Sequence, residues 1–244
     1  MKKSVVSFLR KDGAHLLLLV AGAALFIGGC FQNSQWFDEA YTVGLMQHSL
    51  SGVLYWATFD VHPHLYYVLL KLFTLLFGRS LPVMRLFSAL GAILLASLGY
   101  THLRRDFGKA VGFWFSFCVI FCSQTLAYAL AIRMYTWAAF FVALAAIYAY
   151  RMANEPNKRN RVLFLVFALC ASYTHYFGLF AAAMMQFLLL LRIRAGAGRA
   201  AASGWSTAPS CWGRTCPGSS CFCCKARRAE PCGSASNGRT WCSI

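Results

Sequence analysis

An all-α, polytopic membrane protein is the fold class this sequence predicts, and three observations predict it. Hydrophobic residues fill 59% of the 244 positions and charged residues only 12%, where a soluble domain carries about 25% charged residues. Mean hydropathy is +0.55. The 23 Lys and Arg, against 7 acids, sit in short runs between apolar stretches, as in the cytoplasmic loops of multi-pass proteins. A net charge of +16 would suggest nucleic acid in a soluble chain. Distributed in this way it reports topology instead, and nucleic-acid binding is set aside.

The elements follow in order. A basic start, Met1 to Lys11, leads into an apolar run from Ala14 to Phe31, long enough at roughly 1.5 Å per residue to cross a hydrocarbon core of about 30 Å. A signal peptide competes with this reading, and Ile27-Gly28-Gly29-Cys30 even resembles a lipoprotein cleavage box. The later spans favour a first transmembrane helix with its N-terminus inside. The loop from Gln32 to Pro63 holds three of the chain's acids, Asp38, Glu39 and Asp60, and no Lys or Arg. Its two conspicuous stretches are Trp36-Phe37-Asp38-Glu39-Ala40-Tyr41-Thr42 and Asp60-Val61-His62-Pro63-His64-Leu65-Tyr66-Tyr67. Between them Val43, Met46, Leu50, Val53, Leu54 and Ala57 fall near helical spacing, which predicts one short amphipathic helix in the interface. Acids and histidines gathered at a bilayer surface read as a catalytic loop; the plain alternative is a solvated connection.

Leu65 to Phe77 is apolar but short and contains Lys71, which suits a re-entrant or interfacial segment better than a span. Pro82 to Tyr100 is a full span, and Arg104-Arg105-Asp106-Phe107-Gly108-Lys109 after it is a cytoplasmic loop. Val111 to Ala131 returns outward and delivers Arg133-Met134-Tyr135 to the outer surface. Met134 to Tyr150 comes back to the basic loop of Arg151, Lys158, Arg159 and Arg161. Val162 to Leu191 has basic flanks at both ends, so it is read as a hairpin whose outer turn is Ser172-Tyr173-Thr174-His175-Tyr176-Phe177-Gly178. Basic loops then fall inside, while Asp38, Glu39, Asp60, His62, Arg133 and His175 all fall on one outer face.

Residues 1–194 form this membrane domain. From 195 to 244 the composition changes to Gly, Ala, Ser, Arg and Cys, with seven of the 11 cysteines. A zinc or disulfide module would need regular ligand pairs, and the spacings supply none. A shifted reading frame accounts for the composition better. Cys, Phe, Trp and most Ser codons begin with T, and a T moved to the middle position encodes Phe, Leu, Ile, Met or Val. With permitted wobble bases, residues 214–226 then read as an apolar membrane segment. The expectation is that the natural protein continues with more spans, and that 195–244 is a frameshifted, disordered tail on its N-terminal part.

Four motifs in this order support a family resemblance. Trp36-Phe37-Asp38-Glu39-Ala40-Tyr41, Asp60-Val61-His62-Pro63-His64-Leu65-Tyr66-Tyr67, Ile132-Arg133-Met134-Tyr135 and Tyr173-Thr174-His175-Tyr176-Phe177-Gly178 resemble bacterial relatives of the dolichyl-phosphate-mannose protein mannosyltransferases. Those enzymes belong to glycosyltransferase family 39 and share the C-type membrane fold. The resemblance covers roughly residues 1–194. It departs from the family where many relatives read His-Pro-Pro against His62-Pro63-His64, and where many carry an acid shortly before the Arg-Met-Tyr motif.

The resemblance implies an integral plasma-membrane enzyme that transfers a sugar from a polyprenyl-phosphate carrier to an acceptor at the outer face, with inversion. Asp38 resembles the family's catalytic Asp, with Glu39 as neighbour or alternate. A carboxylate beside an acceptor hydroxyl can take its proton as it attacks, and the leaving lipid phosphate needs cations. Arg133 offers a bidentate fork. Tyr135, His62, His175 and Asp60 are the other substrate-binding candidates, and Asp60 with His62 could instead hold a divalent metal. The plain readings are a snorkelling Arg133, a turn-capping His175, and interfacial belt aromatics for Tyr66, Tyr67, Tyr135 and Tyr176. Lys71 and Arg85 likewise meet phosphate or snorkel. The rival functions are a non-catalytic polyprenyl-phosphate-binding subunit and a small-molecule transporter, which would place ionisable groups at mid-membrane.

Overall fold

A computed structural model describes residues 2–32 and 35–202. The Cys-rich tail, and with it the shifted-frame reading, lies outside them apart from the first residues after 194. The described residues are helical throughout, without a strand. The long first helix, α1 (Lys2–Gly29), is followed by two short helices, α2 (Phe37–Leu45) and α3 (Leu50–Ala57), and then by α4 (Leu65–Phe77). α5 (Leu81–Leu98) runs on through a π turn at Gly99–Leu103 into α6 (Arg104–Phe107). Next come α7 (Lys109–Phe121), α8 (Ser123–Leu130), α9 (Tyr135–Asn154), α10 (Lys158–Thr174) and α11 (Tyr176–Ala202).

Among these residues three helices are long and apolar enough to cross a membrane: Asp12–Gly29, Leu81–Phe107 and Tyr135–Asn154. α7 and α8 make a fourth if the pair, bent by 59° at Cys122, is one broken span. The sequence predicts one outward span here. Ser123-Gln124-Thr125 interrupts the apolar run with residues that favour helix starts over helix interiors. α4 keeps the predicted bounds of 13 residues, about 20 Å of helix, which is too short to cross.

Three differences from the sequence reading have local causes. The single amphipathic helix over 43–57 is two helices, because Ser49 caps α3 by accepting from the Gly52 N–H at 3.2 Å. Arg104–Phe107 is helical and continues α5 rather than forming a loop. Lys71 does not snorkel: it is 1% exposed and donates to the Met46 carbonyl at 2.8 Å.

α5 is the helix around which the others pack. Its N-terminal half meets Leu45, Met46, Val53, Leu70, Ile132 and Met134 in one apolar cluster. Its small residues Ala89, Ala92 and Ala96 let Phe26 of α1 and Ile120 of α7 approach closely, the usual basis of helix packing in membranes. Its far end meets Tyr148, Phe164 and Leu189 of α9, α10 and α11 in a second apolar cluster, and α10 packs along α9. At that end Asp12 pairs with Arg104 at 2.8 Å and with Lys109 at 3.0 Å, and Asp106 pairs with Arg151 at 2.8 Å. At the other end α2 and α3 leave aromatics uncovered, with Trp36, Phe37, Tyr55 and Phe59 all largely exposed.

Gly99 sets the contact between the π turn and α7: a Cβ there would run into the Ser116 hydroxyl and the Gly112 carbonyl oxygen. Backbone cannot move aside as a side chain can. Gly99→Ala is expected to lower stability by about 1–3 kcal/mol, read as a fall in the melting midpoint of purified protein in detergent. Gly28→Ala, where nothing lies within 4 Å of the new Cβ, is the matched control and leaves the midpoint unchanged.

Candidate functional site

The site is built on Glu39. α2 opens at Phe37 with Asp38 and Glu39 in its first turn, where carboxylates complement the helix dipole. Glu39 reaches back to accept from the Trp36 N–H at 3.1 Å, the reciprocal half of a capping box. It also accepts from Arg85 of α5, at 3.3 Å from Nη2 and 3.5 Å from Nε, and from the Ile132 N–H at 2.9 Å. Glu39 and Arg85 are each 3% exposed. Both Glu39 oxygens are therefore committed, and this carboxylate joins α2, α5 and the α8–α9 turn. That arrangement suits a positioning residue rather than a base.

Asp38 is half-buried beside it. Its backbone carbonyl accepts from Thr42 Oγ1 at 3.3 Å and from Arg133 Nη1 at 3.5 Å. No group among the described residues donates to its carboxylate. Asp12, Glu39 and Asp106 are held in ion pairs with Lys or Arg, so Asp38 is the acid left available near a cation.

That cation is Arg133. α8 ends at Leu130 and Ala131 is extended, so the chain turns sharply, with the Arg133 N–H donating to the Ala131 carbonyl at 2.8 Å. Ser88 of α5 fixes the turn by donating to the Arg133 carbonyl at 3.3 Å. The guanidinium, only 6% exposed, reaches His62 Nδ1 at 3.3 Å and the Tyr67 hydroxyl at 3.5 Å. Its buried Nε has no partner. Among the described residues no carboxylate lies within ion-pair distance of it. A buried cation without a counter-charge is costly, and this one is already turned away from the solvent-exposed snorkelling position.

His62 stands between Arg133 and Asp60, with Nδ1 3.4 Å from Asp60 Oδ2. One ring nitrogen cannot accept from Arg133 and donate to Asp60 at once. Burial, and then the Arg133 charge, pull the His62 pKa below its ordinary value, so the neutral ring that accepts from Arg133 is favoured, with its proton on Nε2. Asp60 is satisfied otherwise, by the Tyr67 hydroxyl and by the Val61 N–H at 2.8 Å. His175 lies with its ring centroid 5.1 Å from that of His62 and 5.7 Å from that of Tyr135. Its Nδ1 accepts from the Phe177 N–H at 3.1 Å, so it does cap its turn. Burial, His62 and Arg133 lower its pKa in turn.

Two cavities, of about 480 and about 450 Å³, share Asp38, Arg133 and Tyr135 as walls. The first is also lined by Gln124 and Tyr128, and the second by Tyr41, Asp60 and His62. Every site residue named from the sequence thus gathers round one place. The sequence reading missed Arg85 as the partner of Glu39. It also placed Tyr66 and Tyr67 in an interfacial belt, whereas they are 1% and 0% exposed. Tyr66 bonds Ser88 Oγ at 2.8 Å, and Tyr67 holds Asp60. No group of three or more His, Cys, Asp or Glu side chains suited to a metal exists among the described residues. The Arg133 guanidinium also occupies the approach to His62 Nδ1 that a cation would need. Compared with known proteins, the chain matches no family model, no curated protein and no solved structure.

Two outcomes are expected. Glu39→Ala takes the counter-charge from the buried Arg85, which keeps its bond to the Gln32 carbonyl, and lowers stability by about 3–5 kcal/mol, whereas Asp38→Asn shifts the melting midpoint little; equal effects would remove Glu39 from its central place. The depressed pKa of His62 means that the unfolded chain binds a proton more readily. The midpoint in detergent is therefore flat above about pH 6.5 and falls as pH drops below it, with a shallower fall in His62→Gln.

Proposed function

We propose that the chain transfers a sugar from a polyprenyl-phosphate carrier to an acceptor hydroxyl, with inversion, as a glycosyltransferase of the C-type membrane fold. The observation that supports it is the pairing of Asp38, whose carboxylate accepts no hydrogen bond among the described residues, with Arg133, a buried guanidinium that has no carboxylate partner and an orphaned Nε, on the walls of the same two cavities. Two of the four motifs that resemble family 39 contribute these two residues.

The chemistry follows from the two charges. Asp38 takes the acceptor hydroxyl's proton as the oxygen attacks the anomeric carbon. The new carbon–oxygen bond forms on one face of the sugar while the bond to the phosphate oxygen breaks on the other. The leaving polyprenyl phosphate gains one negative charge, which Arg133 meets with its remaining N–H groups in a site of low dielectric. Tyr67 and neutral His62 hold the guanidinium for that encounter, and Glu39 with Arg85 fixes the turn that carries it. Two cavities with shared walls suit two substrates that meet at Asp38. The basic segments around Arg104 and Arg159 favour the inner side, which puts this site outside.

The test is transfer from radiolabelled polyprenyl-phosphate sugars in membrane vesicles containing the wild-type chain. Asp38→Asn is expected to cut transfer by about 10²–10⁴-fold while donor still binds. Arg133→Gln is expected to lose donor binding itself. Absence of transfer from every donor tried, or full transfer by Asp38→Asn, sinks the proposal.

A further inference from the structure

A third cavity lies away from Arg133, and we propose that it seats one anionic phospholipid of the opposite bilayer leaflet. This proposal does not rest on the function assigned above. The cavity, of about 530 Å³, opens where α9 ends and the two arms of the α10–α11 hairpin diverge. Phe164, Leu165 and Leu189 give it apolar walls, and Arg161 and Arg192 line it too.

Its depth is set by α9. That helix starts at Tyr135, beside Arg133, and its 20 residues span about 30 Å, one hydrocarbon thickness. The cavity at its end therefore lies at headgroup level on the far side. Both arginines are exposed. Arg192 donates to Asn154 Oδ1 at 3.1 Å through Nη2, which pins α11 to the end of α9 and leaves its other N–H groups available. Arg161 makes no ion pair among the described residues. The nearby acid, Glu155, makes none either, its hydrogen bonds running through its backbone to Asn160 and Arg151.

A cavity with apolar walls and two guanidinium groups fits a ligand with two parts, an acyl chain and an anionic head. A free anion would use the arginines and leave the walls without a partner. Leu165 is both a cavity wall and 48% exposed, so the apolar lining runs on to the surface that faces lipid. Basic pockets between helices at this level bind anionic headgroups, and arginine suits phosphate through its planar fork.

Native mass spectrometry of the full chain released from detergent, with dioleoyl phosphatidylglycerol and dioleoyl phosphatidylcholine as probes, tests this. Phosphatidylglycerol is expected to stay bound in preference, and excess inorganic phosphate is expected not to displace it. Arg161→Gln and Arg192→Gln should each weaken retention by about fivefold, and Leu189→Trp, which fills the cavity, should weaken it as well. Lys158→Gln with Arg159→Gln removes two exposed charges that do not line the cavity and should leave retention within about twofold, since such charges are screened. Equal retention of phosphatidylcholine, displacement by inorganic phosphate, or an equal loss in the Lys158 and Arg159 variant overturns the proposal.

Discussion

The structure depends on the ion pair between Glu39 and Arg85. It brings together two groups that lie 46 positions apart and are almost fully withdrawn from water. Neither charge is tolerable there alone, since an unpaired buried ion costs several kcal/mol. Glu39 also accepts the Ile132 N–H, so the same carboxylate fixes the short α2 to α5 and closes the turn that carries Arg133. α2 is held besides by Leu45 and Met46 in the apolar cluster, by Lys71 on the Met46 carbonyl and by Arg133 on the Asp38 carbonyl.

The division of labour between Asp38 and Glu39 follows from helix geometry. Adjacent residues on a helix point about 100° apart, so Glu39 turns toward Arg85 of α5 at the edge of the first cavity while Asp38 is a wall of both cavities. Their chemistry is nearly the same, and their surroundings make them different. Glu39 is saturated with donors and acts on other residues. Asp38 has its backbone anchored and its carboxylate open. Arg133 is held in the complementary way, with its backbone tied by Ser88 and its guanidinium bonded to neutral groups.

Much of this was legible in the sequence where short-range pattern decides. The bounds of α4 follow from a run of apolar residues between Pro63 and Gly78, and the hairpin turn at His175 follows from basic flanks at both ends of one apolar stretch. The gathering of Asp38, Asp60, His62, Arg133 and His175 follows from counting spans and charges. Partners distant in the chain were not legible. Nothing near Arg85 says that its charge is met by Glu39, and nothing near Tyr67 says that it holds Asp60 instead of facing the headgroups. The split between α2 and α3 was missed because six apolar positions keep nearly the same phase across the Ser49 cap. The continuation of α5 to Phe107 was missed because Arg104-Arg105-Asp106 looks like a loop until Asp12 and Arg151 are seen to neutralise it.

The uncovered aromatics of α2 and α3 bring bilayer thickness into the site. Trp and Tyr favour the boundary between headgroups and hydrocarbon, and in the proposed membrane arrangement these two helices would follow the plane of its surface. Arg85 belongs to α5, whose continuous helix Leu81–Phe107 has 27 residues, about 40 Å, and its height is set by the whole bundle. A bilayer that thins or thickens moves the surface plane relative to α5, and such mismatch costs fractions of a kcal/mol per Å. The ion pair between Glu39 and Arg85 is among the bonds that span the two reference frames. Hydrophobic mismatch in such an arrangement would therefore load that bond and, through Ile132, the turn that carries Arg133.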